Sequence, residues 1–177
     1  MKIVILQGSP NKNGSTAILD ESLKKGAEEA GHSVKRFDVA AMDIKPCGGC
    51  VVCGYEGPCV LKDANAEIRT AVLEADMLVF ATPLYYYAMS AQLKTVIDRF
   101  CSYNSSITRK HMKSALLAVA WNSDSWTFEA LESHYKTLVR YLNLQNQGMI
   151  LGRGCGTPSM TMRTQYPQMA YELGKRL

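Results

Sequence analysis

Short apolar runs alternate along the chain with stretches in which apolar residues recur every three or four positions. Residues 2–7 form the first run and predict a buried strand. Leu19, Leu23, Ala27 and Ala30 then fall at helical spacing over residues 15–30, and Gly31 can end that helix. Val34–Val39 reads as a second strand. Ile68, Ala71, Val72 and Ala75 mark one face of a helix over 64–75, with Asp63 as a candidate cap. Met77–Ala81 is a third strand, stopped by Thr82-Pro83. Ser90 caps a helix that turns Leu93, Val96, Ile97 and Phe100 inward, and Ala115–Ala120 is a fourth strand. Phe128, Leu131, Tyr135, Leu138 and Leu142 give a fourth helix, Gly148–Leu151 a fifth strand, and Pro167 opens a final helix through Met169, Ala170, Leu173 and Leu177.

The order βαβαβαβαβα with short, wholly apolar strands predicts a parallel sheet covered on both faces. Five strands in that order fit an α/β three-layer sandwich of the flavodoxin-like kind, with strand order 2-1-3-4-5. With 177 residues and no linker or repeat, the chain is expected to be one domain spanning 1–177. One connection departs from the short-loop pattern. Residues 40–62, between the second strand and the second helix, are too long for a plain connector, and connections of that length usually carry function.

Composition narrows the classes. Apolar residues are 47% and charged residues 20% of the chain, which excludes disorder and fibrous repeats. The longest apolar run, Ala115–Trp121, is far short of the ~20 residues of a membrane span. The first apolar run is also too short for a signal peptide, so a cytoplasmic setting is expected. Twenty basic and sixteen acidic side chains leave a net charge of +4. These charges are scattered rather than clustered, which argues against a nucleic-acid partner. The densest basic patch, Arg109-Lys110-His111 with Lys113, reads as a solvated loop, or else as a docking patch for an anion.

After the first strand comes Gly8-Ser9-Pro10-Asn11-Lys12-Asn13-Gly14-Ser15-Thr16, leading into a helix. Small and hydroxylated residues at a helix N-terminus suit a phosphate monoester, because free amides and the positive end of the helix dipole converge there. The loop is neither G-x-G-x-x-G nor a Walker loop. An ordinary turn capped by Ser15 is the alternative. The third strand ends in Thr82-Pro83-Leu84-Tyr85-Tyr86-Tyr87. Three consecutive tyrosines cannot all pack inward, and a flat ligand stacked on one of them would account for the excess. In an open α/β sheet both loops lie beyond the carboxyl ends of the strands, near the switch point. A phosphate cradle beside an aromatic shelf suggests flavin mononucleotide (FMN). Trp121-Asn122, at the end of the fourth strand, opens toward the same edge and is a candidate for the polar side of the ring. Gly152-x-Gly154-x-Gly156 reads as a flexible turn. There is no G-x-S-x-G nucleophile elbow, and the three histidines show no metal spacing.

Four of the six cysteines lie in Cys47-x2-Cys50-x2-Cys53-x5-Cys59. Compact runs of this kind are typical of iron–sulfur ligation, which makes a [4Fe-4S] cluster the leading reading. A zinc site and four free, redox-active thiols in a glycine-rich loop stay open beside it. Cys101 and Cys155 stand apart and read as small core residues.

The segments GSPNKNGST (8–16), PCGGCVVCGYEGPCVLKD (46–63), EADMLVFATPLYYYAMSAQLKTVIDR (74–99) and AYELGKRL (170–177) together resemble the flavodoxin-like NAD(P)H-dependent FMN reductase family, and within it the iron–sulfur flavoprotein branch. The resemblance implies an FMN phosphate on the loop carrying Ser9, Asn11, Asn13, Ser15 and Thr16, and a flavin ring against Pro83, Leu84, Tyr85 and Tyr86. It also implies a homodimer or homotetramer. All four ligand positions of the iron–sulfur branch are filled, whereas Trp121–Trp126 departs from the family's usual loop. The expected activity is electron transfer from NAD(P)H, a transient co-substrate, or from a reduced protein donor, to a small-molecule acceptor or an iron–sulfur centre. No side chain is assigned as a general acid or base. A flavin carrier without turnover and a thiol-based redox sensor are the alternatives.

Overall fold

The computed structural model describes all residues, Met1–Leu177. Five parallel strands form the sheet: β1 (Lys2–Gln7), β2 (Ser33–Asp38), β3 (Met77–Pro83), β4 (Lys113–Val119) and β5 (Gln145–Gly152). Their order is β2-β1-β3-β4-β5, as the sequence pattern predicts. Residues alternate between the two faces with the two-residue period of a strand. Ile3, Ile5, Met77, Val79, Ala115 and Leu117 enter one apolar layer. Val4, Leu6, Leu78, Phe80, Leu116 and Ala118 enter the other. The central strands are therefore apolar on both sides, which is why they read as continuous runs rather than as alternating ones.

The first layer is closed by α1 (Ser15–Glu29) and α7 (Tyr166–Lys175). These two helices approach backbone to backbone. A Cβ at Gly26 would sit 2.1 Å from the Tyr171 carbonyl, and one at Gly174 would sit 2.1 Å from the Leu23 carbonyl. The second layer is closed by α2 (Asn65–Glu74), α3 (Ala91–Arg99), α4 (Asn104–Lys110) and α5 (Glu129–Tyr141). A short helix, α6 (Pro158–Met162), is capped by Thr157, which accepts from the Met160 amide at 3.2 Å.

Three local expectations are corrected. The segment leading to β4 holds a helix, α4, where a loop with a basic patch was expected. Arg109 pairs with Glu56 at 2.7 Å and Lys110 donates to the Leu73 carbonyl at 2.6 Å, so these two cations are engaged within the chain. Strand β5 begins at Gln145 rather than Gly148. Its polar first half is an exposed sheet edge, held by pairing to β4 across a bulge at Ser114/Ala115. The Asp63 carboxylate does accept from the Asn65 amide at 3.1 Å, but its main partner is Arg99.

Asp20 on α1 is fully buried against Arg36, at 3.2 Å, and Arg36 is shared with Glu21 and Asp38. Burial outweighs the attraction of Arg36 and pushes the Asp20 carboxyl up to about 7. Between about pH 4 and pH 7 the folded chain holds a proton that the unfolded chain has released. This carboxyl therefore lowers stability as pH rises through that window, by at most about 4 kcal/mol. Urea midpoints taken at pH 5 and pH 8 should show the fall in the parent protein and a flatter response in Asp20→Asn. An equal slope in both would assign the effect elsewhere.

Candidate functional site

Strands β1 and β3 are neighbours whose following helices lie on opposite faces, so their carboxyl ends open a crevice. A cavity of about 310 Å³ lies in this crevice. Its wall includes Ser9, Asn11, Ser15 and Thr16 from one loop, Pro83, Leu84 and Tyr85 from the next, and Trp121 from a third.

The first loop is held at both ends. The Gly8 amide donates to the Ala81 carbonyl at 2.8 Å, and the Ser90 hydroxyl donates to the Gly8 carbonyl at 2.7 Å. A Cβ at Gly8 would sit 2.6 Å from Leu93 Cβ, so only glycine allows this approach. Asn11 organises the bend. Its amide donates to Ser9 Oγ at 3.2 Å, its side chain accepts from the Asn13 amide at 3.2 Å, and its carbonyl accepts from the Gly14 amide at 3.1 Å. Helix α1 then starts at Ser15, after an extended Gly14 that supplies no side-chain cap, and no acidic residue lies in its first turn. Ser15 is thus the first helical residue and not the cap. Its Oγ is buried without a hydrogen-bond partner. An orphaned hydroxyl beside uncapped helical amides is a donor set for an anion. The phosphate of FMN fits that set.

The second loop is braced by the same network. Thr82 Oγ1 accepts from the Ser90 amide at 2.9 Å, and Ser90 caps α3 as the sequence predicts, accepting from the Leu93 amide at 3.3 Å. The Leu84 amide donates to the Val119 carbonyl at 2.7 Å. Tyr85 and Ala88 then bridge in antiparallel fashion around Tyr86 and Tyr87, both left-handed at φ 45° and 63°. That conformation costs a non-glycine residue roughly 1 kcal/mol. Its result is a tyrosine tip with Tyr86 99% exposed, outside the cavity wall. Tyr86 instead lines an adjoining hollow of about 230 Å³, together with Tyr87, Trp121 and Asn122. Of the residues proposed from sequence, Pro10 and Asn13 line neither hollow.

The third wall is one the sequence underestimated. Gly152–Gly156 is a tied segment, not a free turn. The Ala120 amide donates to Gly152, the Cys155 amide to Ala120 at 2.7 Å, and the Gly154 amide to Asn122 at 3.1 Å. This seats Gly156 against the Trp121 ring, where a Cβ would meet Cε3 at 2.1 Å. Cys155 and Gly156 consequently join the cavity wall. The glycine repeat was the only visible signal for them.

A second cavity, of about 440 Å³, lies under the 40–62 loop. All four clustered cysteines, 47, 50, 53 and 59, line it with Arg99 and Cys101. The isolated reading of Cys101 is corrected. Its sulfur lies 4.0 Å from that of Cys53, and burial, followed by Cys53, pushes its thiol up to about 11. Cys155 is a buried residue, 1% exposed, as expected. No three Cys, His, Asp or Glu side chains are grouped tightly enough to hold a single metal ion. Five thiols line one largely apolar hollow, the donor type that an iron–sulfur cluster or a zinc ion takes.

Arg99 closes this loop from below. Its side chain is 1% exposed and reaches Asp63 at 2.6 and 3.2 Å and the Lys45 carbonyl at 2.8 Å. Asp63 also accepts from the Lys45 amide at 3.0 Å. Burial raises the Asp63 carboxyl, but Arg99 and the two amides outweigh it and hold it below its ordinary value. The chain entering the loop and the chain leaving it are therefore fastened to one guanidinium. Ser90, the cap of α3, holds the Gly8 carbonyl of the first loop, and Arg99 at the end of α3 lines the second cavity, so this nine-residue helix links the first loop to the cysteine loop.

A three-layer sandwich with an anion cradle and an aromatic shelf at its switch point defines a flavodoxin-like nucleotide-binding protein. The sequence profile of the NADPH-dependent FMN reductase family matches residues 1–149, and the chain belongs to that family. It is similar to an iron–sulfur flavoprotein of Archaeoglobus fulgidus, 36% identical over 110 residues, which is 62% of this chain and 50% of that protein. The chain thus matches about half the length of this curated relative. Among solved structures, an NAD(P)H:quinone oxidoreductase of Methanothermobacter marburgensis shares the fold with a TM-score of 0.80, at 21% identity, over 99% of this chain and 95% of the other. An FMN-dependent NADH-azoreductase of Bacillus anthracis, solved with FMN, gives 0.74 at 12% identity over 99% and 98%. No helix is long and apolar enough to cross a membrane.

Proposed function

We propose that this chain is an FMN-dependent oxidoreductase that takes electrons from NAD(P)H, or from a reduced protein donor, and delivers them to a small planar acceptor such as a quinone, or to an iron–sulfur cluster held by Cys47, Cys50, Cys53 and Cys59. The observation that carries the reading is the buried, unpartnered Ser15 hydroxyl beside uncapped amides at the foot of the switch-point cavity. Ser9, Ser15 and Thr16 would hold the phosphate, and Asn11 keeps their loop bent. Pro83, Leu84, Tyr85 and Trp121 would line the place of the ring. FMN, when bound, accepts two electrons from a nicotinamide and can release them singly or in pairs. A cluster on the cysteine loop would carry one electron at a time. The chain contributes binding, orientation and exclusion of water from the ring, and needs no side chain as acid or base. The exposed rings of Tyr86 and Trp121 support a homodimer or homotetramer, and six cysteines without a disulfide suit a reducing cytoplasm.

The test is spectral and kinetic. Protein purified without air should carry flavin bands that bleach with dithionite, and should oxidise NAD(P)H when a quinone is supplied. Cys50→Ser should lose iron and sulfide while keeping flavin. A colourless preparation that takes up no added FMN would end the flavin reading. Iron retained in Cys50→Ser would end the ligand assignment.

A further inference from the structure

We infer that Cys53 and Cys101 form an oxidation site, a dithiol that closes to a disulfide when the chain meets a peroxide. The two residues are 48 positions apart, one in the cysteine loop and one in the 3-10 turn Phe100–Tyr103 that follows α3. Their sulfurs nevertheless lie 4.0 Å apart. Cys47, Cys50 and Cys59 line the same cavity but make no hydrogen bond to another sulfur. A disulfide needs about 2.05 Å between sulfurs, so closure asks the two sulfurs to approach by about 2 Å.

The approach is braced on both sides. Cys53 sits in a tight turn: its carbonyl accepts from the Glu56 and Gly57 amides at 3.2 and 2.7 Å, while the Gly54 amide donates to Val51 at 3.0 Å. Two residues further on, the Tyr55 carbonyl accepts from the Ser105 amide at 3.4 Å, and Glu56 pairs with Arg109 at 2.7 Å. Both contacts fasten the tip of the loop to α4, directly after the turn that carries Cys101. Both cysteines are partly exposed, so a small oxidant reaches them. Peroxide oxidises one sulfur to a sulfenic acid, and one water leaves. The second sulfur attacks the first, the S–O bond breaks as the S–S bond forms, and a second water leaves. The two thiols lose two electrons and the peroxide gains them. The site stands without the flavin or the cluster. Where a cluster is built, closure would withdraw Cys53 from the ligand set.

The full chain, stripped of iron with a chelator and fully reduced, is treated with hydrogen peroxide, alkylated and digested with trypsin. Cleavage after Arg99 and Arg109 isolates Cys101 in the peptide Phe100–Arg109, apart from the peptide that holds the other four clustered cysteines. The expected product is Phe100–Arg109 joined to the loop peptide through Cys53, with two free thiols lost per chain. Cys101→Ser and Cys53→Ala should each abolish this link, and Cys47→Ser should keep it. Cys101 found alkylated after peroxide, or joined to Cys47, Cys50 or Cys59 instead, would overturn the assignment. The parent protein alone decides this should a variant not fold. The metal-free chain makes the outcome independent of whether a cluster ever forms.

Discussion

Replacing Ser15 with aspartate is expected to weaken FMN binding by about a thousandfold and to leave riboflavin binding unchanged. The hydroxyl it removes is buried in the cavity wall without a partner. The carboxylate it introduces sits at the mouth of α1, where no acidic side chain is found in the first turn. Two negative charges about 4 Å apart repel by roughly 4 kcal/mol at the effective dielectric of a protein surface. That is about three decades in affinity. An aspartate in the first turn is otherwise favourable to a helix, so fold stability should hold or rise slightly. Fluorescence titration of the stripped protein with each flavin measures the effect, and circular dichroism checks the fold. Riboflavin lacks the phosphate, so an equal loss for both ligands would mean that the loop does not hold the phosphate.

Arg99→Ala is the second large expectation: a loss of about 3 kcal/mol, together with release of the cysteine loop. Arg99 and Asp63 are each 1% exposed in their side chains. Removing one partner of a buried pair leaves the other charge uncompensated, at a cost of roughly 3–5 kcal/mol. The lower figure applies because Asp63 keeps two backbone donors, Lys45 and Asn65. For a chain of this size, 3 kcal/mol corresponds to about 6–12 °C in Tm. Proteolysis should then cut first between residues 45 and 63, since both ends of that loop lose their tie. Arg99→Lys should fall between the two, because a single ammonium cannot reach Asp63 in bidentate fashion and the Lys45 carbonyl as well. The pair also has a pH signature. Asp63 is held below its ordinary value, so its contribution is full above about pH 4 and is lost as pH falls through the folded value. An unchanged Tm with no new cleavage in the loop would remove Arg99 from this role.

The strand order, and the meeting of the loops after β1 and β3 at one cavity, were legible because each is a local pattern joined by a general rule of chain topology. A Ser15 cap stayed open as the alternative because Ser and Thr at a helix start read the same whether they close the helix or face a ligand. Only the position of Gly14 distinguishes the two. Helix α4 and the polar half of β5 carried no apolar period of their own and were held by neighbours. Cys101 and Arg99 were invisible as site residues, because nothing within a few positions of either announces a partner.

The sequence by itself determined the layers and the chemistry offered: apolar strands for both faces of the sheet, hydroxyls and glycines after β1, tyrosines after β3, and four thiols in one loop. These follow from side-chain period and composition, which act over a few residues. The tertiary structure alone decided which distant groups meet. It brought Cys101 to Cys53, fastened both ends of the cysteine loop to Arg99, and set Gly156 against Trp121. Those contacts depend on how helices and loops seat on the folded sheet, a matter of shape and burial summed over the whole chain that no short stretch of it contains.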